Sequence, residues 1–347
     1  MQIRKITFLT LSILFSVCII QLLKLHPDWI ERFYSKLIYP YLFRSKAWFF
    51  DSIPFSIGDV IYLTLGSLLA YNLGLTIKKK EFALTFLLLG LGIVYITFQL
   101  NWGLNYYRIP LSEQFNVKKE YSINELEDLT LYFVNESNKI HRQLVTNDSI
   151  EVVFSGEKND LLSVFDNYKK KQKIHLKAKF SQFSVPLTYM GFSGYLNPFT
   201  LEAHVNELIP AINLPITIAH EMAHQKGYAA ENEANFMGFI QANKHPDLFI
   251  QYSAILFGFR YCYNSLYNEN PEKAVEILNQ LNSGIVKNLK TSNLFWKKYQ
   301  NPIEPYFKST YDQFLKANGQ TKGIRSYNEV ISLLIHWKKN EFKLVMS

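Results

Sequence analysis

The sequence is poor in cysteine, poor in charge over its first third, and free of internal repeats or low-complexity tracts. Its 347 residues hold two cysteines, Cys18 and Cys262, each inside an apolar stretch. No intrachain disulfide is expected between them, and the thiols do not identify a compartment. No stripe of Lys and Arg interleaved with aromatic residues occurs, so the 37 basic against 29 acidic side chains, net +8, form no nucleic-acid footprint. With 48% hydrophobic residues the chain is neither disordered nor collagen-like, and its length suits two or three units of roughly 100–200 residues.

The shortage of charge is local. Residues 1–107 carry ten basic and five acidic side chains, and residues 108–347 carry the other 27 and 24. Three charge-free stretches, 6–23, 60–77 and 82–107, are long enough for a bilayer whose hydrocarbon core is about 30 Å thick, since a helix rises about 1.5 Å per residue. Three transmembrane helices, at about 6–23, 60–77 and 82–102, are therefore expected in a membrane domain 1–107, followed by a second domain 108–347. The first span reads as an uncleaved anchor, because Arg4 and Lys5 precede it and no small-x-small cleavage site follows Ile20. Lys78, Lys79 and Lys80 between the second and third spans place that turn and the N-terminus in the cytoplasm and the second domain outside. A plain count over the longer loops points the other way, and the dense short turn is given more weight. Trp29, Trp48, Phe49 and Phe50 suggest an interfacial segment, and Trp102 and Tyr106 an aromatic belt.

Beyond residue 107 the pattern is helices, a small sheet, then helices, which predicts a mostly helical α+β domain. Ser122 and Glu125 form an S-x-x-E capping box opening a helix to about Gln143, and a second helix is expected over 159–171, its run Lys169, Lys170, Lys171 and Lys173 a solvated end. Alternation around 175–180 and 201–205, with Gly191, Gly194, Asn197 and Pro198 between, reads as short strands.

The chemistry concentrates at His220, Glu221 and His224, an H-E-x-x-H sequence. Residues four apart on a helix share a face, so both imidazoles can reach one metal ion while Glu221 faces a water beside it. A shuffled chain with 8 His and 20 Glu would contain such a motif about once in a hundred. A catalytic zinc needs a third protein ligand. Glu231 is the leading candidate and Glu233 the runner-up, with Asn235 four residues after Glu231 placed to orient a ligand histidine. A metzincin histidine is excluded, because Ala230 occupies its place.

The stretch from His220 to Asn235 resembles the gluzincin metallopeptidases, in which H-E-x-x-H is followed by a Glu on the next helix, often as E-x-x-A-D. Here the sequence is E-N-E-A-N, with Asn235 in place of Asp and a short gap from His224. The whole chain also resembles a bacterial family of membrane-anchored zincin-like proteins, through W-G-L-N-Y-Y-R-I-P-L from Trp102, G-Y-L-N-P-F-T from Gly194, and G-I-R-S-Y from Gly323. The gluzincin resemblance implies a zinc ion on His220, His224 and Glu231, peptide hydrolysis with Glu221 as general base, and a peptide or protein substrate. The bacterial family resemblance supports the architecture and supplies no reaction; with the charge reading above, it implies a bacterial inner-membrane protein with its zinc domain extracytoplasmic. An edge strand within 194–206 would bind an extended peptide. Tyr327, Arg325 and Tyr228 are candidates to stabilise the oxyanion, Tyr327 foremost. The alternative is a membrane sensor or scaffold that binds metal without turnover.

Overall fold

The computed structural model describes residues 2–78, 83–118, 120–172, 175–320 and 329–340. Lys79, Lys80, Phe82, Lys173, Arg325 and Tyr327 lie outside them. The chain divides into two compact units, Met1–Ile109 with Leu196–Glu202, and Pro110–Tyr195 with Ala203–Ser347. The boundary thus falls two residues after the expected one. The short segment Leu196–Glu202, which no change in composition marks, belongs to the first unit.

Among the described residues of the first unit, three stretches are long and apolar enough to cross a membrane: Ile6–Lys24, Ile57–Ile77 and Leu84–Asn101. Their large side chains, such as Phe8 and Leu63, face outward. Hydroxyl and amide groups on them bond back to their own helix: Ser12 to the Phe8 carbonyl, Thr64 to Val60 and Asn72 to Leu68. That is how a polar group is satisfied where lipid offers no partner. The first and third helices pack closely at Gly92, where a Cβ would lie 2.7 Å from Ile13 Cγ2.

The charge-free stretch that begins at Phe82 is helical only as far as Asn101; Gly103–Tyr107 is a turn of 3-10 helix. Trp102 does not stand in an exposed belt: it is buried against Tyr39 and Tyr106, with ring centroids 6.0 and 6.2 Å away. Arg108 grips Glu31 through two hydrogen bonds of 2.8 and 2.9 Å. The segment Leu196–Glu202 is held by Glu202, which accepts the Gly58 N–H at 2.7 Å, beside the Ser56 cap on Asp59. A carboxylate at a helix start satisfies otherwise orphaned donors and complements the helix dipole.

The second unit is mostly helical with three short strands. Helix Ile123–Leu144 starts at Ser122, with both halves of the capping box formed. It packs on helix Leu248–Glu269 where Gly258 leaves room for the Phe133 ring, which a Cβ would meet at 2.4 Å. The strands are β1 (Ala178–Phe180), β2 (Gly194–Leu196) and β3 (Ala203–Val205), in the order β1-β3-β2. β1 and β3 run parallel, with Ala178 opposite Ala203. The parallel pair needs a crossover, and helix Ser184–Met190 lies within it. β2 is therefore at an edge of the sheet.

The lysine run at 169–173 is not wholly solvated. Lys169 is buried at 1% exposure, while Lys170 pairs with Asp166 at 2.8 Å. Lys169, Lys226 and His245 all sit at C-terminal ends of helices, namely Lys158–Lys171, Leu214–Gln225 and Glu231–Asn243. Exposed carbonyls there favour positive charge. Burial and the neighbouring Lys226 lower the Lys169 pKa to about 8.

Candidate metal centre

Helix Leu214–Gln225 carries the H-E-x-x-H residues. Pro215 sits in its first turn, where a missing N–H costs nothing, and Ile216, Ile218, Ala219 and Met222 make it a buried helix. After Gln225 the chain turns at Gly227, whose φ of 84° suits glycine, and re-enters helix at Glu231. The two helices approach until backbone meets backbone. A Cβ on Gly238 would lie 2.9 Å from both the Cα and the N of His220. That crossing brings Glu231 over the histidine pair.

His220 Nε2 is 3.4 Å and His224 Nε2 3.7 Å from the Glu231 carboxylate. One ligand atom from each of the three lies within 4.8 Å of the others. This spread is comparable with that of donor atoms around one ion having bonds of about 2.0–2.3 Å. The two imidazoles stand edge to face, with centroids 4.6 Å apart. His224 Nδ1 donates to the Tyr228 carbonyl at 2.6 Å, which turns the Nε2 lone pair toward Glu231. Glu231 and His224 are deeply buried, and His220 retains 16% side-chain exposure, so the cluster is approached from the His220 side.

The electrostatics follow from burial and close pairing. Burial raises the Glu221 pKa to about 8, with Glu231 adding to the rise and His220 opposing it. For Glu231, burial acts upward, but the His220 hydrogen bond, the charges of both histidines and a hydrogen bond from Tyr311 hold its pKa at about 2. Burial and the charge of His220 lower His224 to about 4. His220 is held above the ordinary imidazole value: burial acts to lower it, and Glu231 and Glu221 together with Asn235 outweigh that.

Glu221 Oε2 and His220 Nδ1 are buried polar atoms without a hydrogen-bond partner. Leaving a buried atom unpaired costs about 1–3 kcal/mol. His220 Nδ1 lies across the ring from the Nε2 that faces Glu231, so Glu221 Oε2 is the unpaired atom that a group held at the cluster can engage. A nitrogen, nitrogen, oxygen donor set with a second carboxylate alongside suits zinc.

The runner-up Glu233 is placed elsewhere. Its carboxylate accepts the Leu111 N–H at 2.6 Å. Asn235 lies beside His220 and donates to the Tyr261 hydroxyl at 3.2 Å. Tyr228 contributes its carbonyl to His224. Gly194 of β2 lies directly on Glu221: a Cβ there would meet Glu221 Oε1 at 2.6 Å and the His204 carbonyl oxygen at 2.7 Å. Only glycine allows that edge strand so close to the carboxylate. Tyr311, from helix Glu304–Ala317, donates to Glu231 Oε1 at 2.5 Å. It is one of 22 tyrosines and lies 80 residues downstream, and no local pattern distinguishes it.

These features define a mostly helical protein with three helices of bilayer length and a buried His-His-Glu cluster. The chain belongs to the family described as protein of unknown function (DUF3810), whose model matches residues 34–335. No curated protein and no solved structure matches it.

Proposed function

We propose that this chain is a membrane-anchored, zinc-dependent metallopeptidase whose second unit is a zincin-like catalytic domain. The observation that carries the reading is the convergence of His220, His224 and Glu231 beside the buried Glu221 carboxylate, under the edge strand β2. His220 Nε2, His224 Nε2 and a Glu231 oxygen would hold the metal. Zinc held there supplies Lewis acidity that activates water and polarises a peptide carbonyl.

The chain's own residues account for the rest. Glu221, adjacent to His220, takes a proton from the attacking water and returns it to the departing amine. Tyr228 orients the His224 imidazole, and Asn235 lies beside His220. An extended peptide adds to β2 by main-chain hydrogen bonds, which brings its carbonyl to Glu221 and not to bulk water. Tyr327 is the residue proposed to stabilise the oxyanion. The dense lysine turn after the second span supports an extracytoplasmic placing of this unit, and the bacterial family resemblance an inner-membrane location.

The test uses the full chain in detergent. Stoichiometric zinc retained through dialysis, and hydrolysis of an unstructured polypeptide, are expected. Glu221→Gln should keep the metal and lose on the order of 10²–10⁴ in rate. Absence of retained zinc sinks the proposal. Zinc retained without turnover in the native chain, with cellular activity unchanged in Glu221→Gln, favours the sensor or scaffold instead.

A further inference from the structure

The helices Ser283–Tyr299 and Glu304–Ala317 are joined by residues 300–303, and the tip where they meet is apolar and basic; the candidate metal centre draws Tyr311 from the second of them. Leu294 is 53%, Ile303 60%, Tyr306 74% and Phe307 42% exposed. Ile303, Tyr306 and Phe307 are spaced three and four apart and form one stripe. Helix Ser184–Met190 continues the surface: the Tyr189 ring meets Tyr299 at 5.3 Å, and its carbonyl accepts from Asn301 at 2.7 Å.

Charge sets this tip apart from an ordinary sticky patch. Between Glu276 and Glu304 the chain has no acidic residue and four lysines, Lys287, Lys290, Lys297 and Lys298. Among the described residues, Lys290, Lys297 and Lys298 have no acidic partner, and Lys298 lies over the Tyr299 ring at 5.6 Å. Exposed aliphatic and aromatic side chains bordered by unpaired lysines are the composition of a segment at a lipid headgroup layer. There the rings enter the interface and the ammonium groups meet lipid phosphates.

We propose that this tip, residues 294–307, docks on an anionic bilayer surface. The occupant is lipid and not a second copy or a substrate chain, because Lys297 and Lys298 in the tip, with Lys290 on the same helix, complement anionic headgroups, while Glu304 is paired with Lys308. The three helices of bilayer length also keep a membrane at high effective concentration. The inference is independent of the zinc reading.

The experiment reconstitutes the full chain, with Cys18→Ser, Cys262→Ala and Tyr306→Cys, into vesicles of phosphatidylcholine alone or with phosphatidylglycerol. A nitroxide at position 306 reports collisions with oxygen and with a water-soluble nickel chelate. In anionic vesicles the label should become severalfold less accessible to nickel and more accessible to oxygen, whereas a control label at the exposed Glu272 should not change. Lys297→Gln with Lys298→Gln should lower the docked-to-free ratio about thirtyfold at low salt, at about fivefold per lysine. Equal nickel access in both vesicles overturns the proposal. So does protection that arises with spin–spin broadening, which marks a second copy, or only on addition of a polypeptide. Trp296 quenching by brominated lipid, measured against the Trp296→Phe variant, is a second readout that needs no label.

Discussion

Helix Ile57–Ile77 and helix Leu214–Gln225 are both rich in apolar residues, yet they solve opposite problems. None of the most apolar part of the first is buried by protein. In the second every side chain except His220 is buried, including Glu221, His224 and Gln225. A helix that faces lipid needs only length and an absence of charge, and both are local properties. A helix that buries a carboxylate and two imidazoles needs partners for each of them, and those partners come from elsewhere in the chain: Tyr228, Glu231, Asn235 and Tyr311.

The largest effect that sharpens this contrast is at the proposed third ligand. Glu231→Ala should lower zinc affinity by far more than the about 10–100-fold typical of a supporting residue. Glu233→Ala should leave zinc affinity nearly unchanged and cost about 1–3 kcal/mol of stability, because the buried Leu111 N–H loses its acceptor. Competition with a chromogenic chelator measures the first and chemical denaturation the second; equal zinc loss in both variants would break the assignment. In the first unit, Leu63→Arg should disfavour membrane insertion by about 2.5–3.5 kcal/mol, read from glycosylation-site reporters in a translocation assay. Unimpaired insertion would remove the distinction between a lipid-facing and a buried helix.

Tyr311→Phe tests the support of Glu231. It removes only the hydroxyl that donates to the carboxylate, so zinc affinity should fall about 10–100-fold while the circular dichroism spectrum stays the same. The smallest effect is at His245, away from the cluster. Burial, opposed by Asp247 and reinforced by Lys169, lowers its pKa to about 4. Its neutral form is favoured on folding, so the unfolded chain binds more protons between about pH 6.5 and 4, and this contribution to stability is full above pH 6.5 and lost as pH falls through that window. His245→Gln should flatten that part of the pH–stability curve, measured as denaturation midpoints against pH.

Local patterns were legible to different depths. The capping box at Ser122 and Glu125, the helix to Lys171 and the three apolar helices stand close to where spacing and charge place them. Trp102 and Lys169 read as exposed from their neighbours and are buried. A flanking tryptophan and a lysine in a basic run look alike on a surface and in a core, because only what packs over them differs. The segment Leu196–Glu202 joins the first unit through Glu202 and Gly58, residues 144 apart, and no periodicity reports such a bond.

The sequence by itself determined the lengths of the apolar helices, the placing of His220 and His224 on one helical face, and the turn at Gly227. These depend on chain geometry over a few residues: rise per residue, the four-residue spacing and a positive φ. Only the tertiary structure placed Glu231, and not Glu233, beside the two histidines, brought Tyr311 to the carboxylate and laid β2 on Glu221. The first depends on a close approach at Gly238 and the last on one at Gly194. Such approaches are set by the packing of whole elements, which a local pattern does not encode.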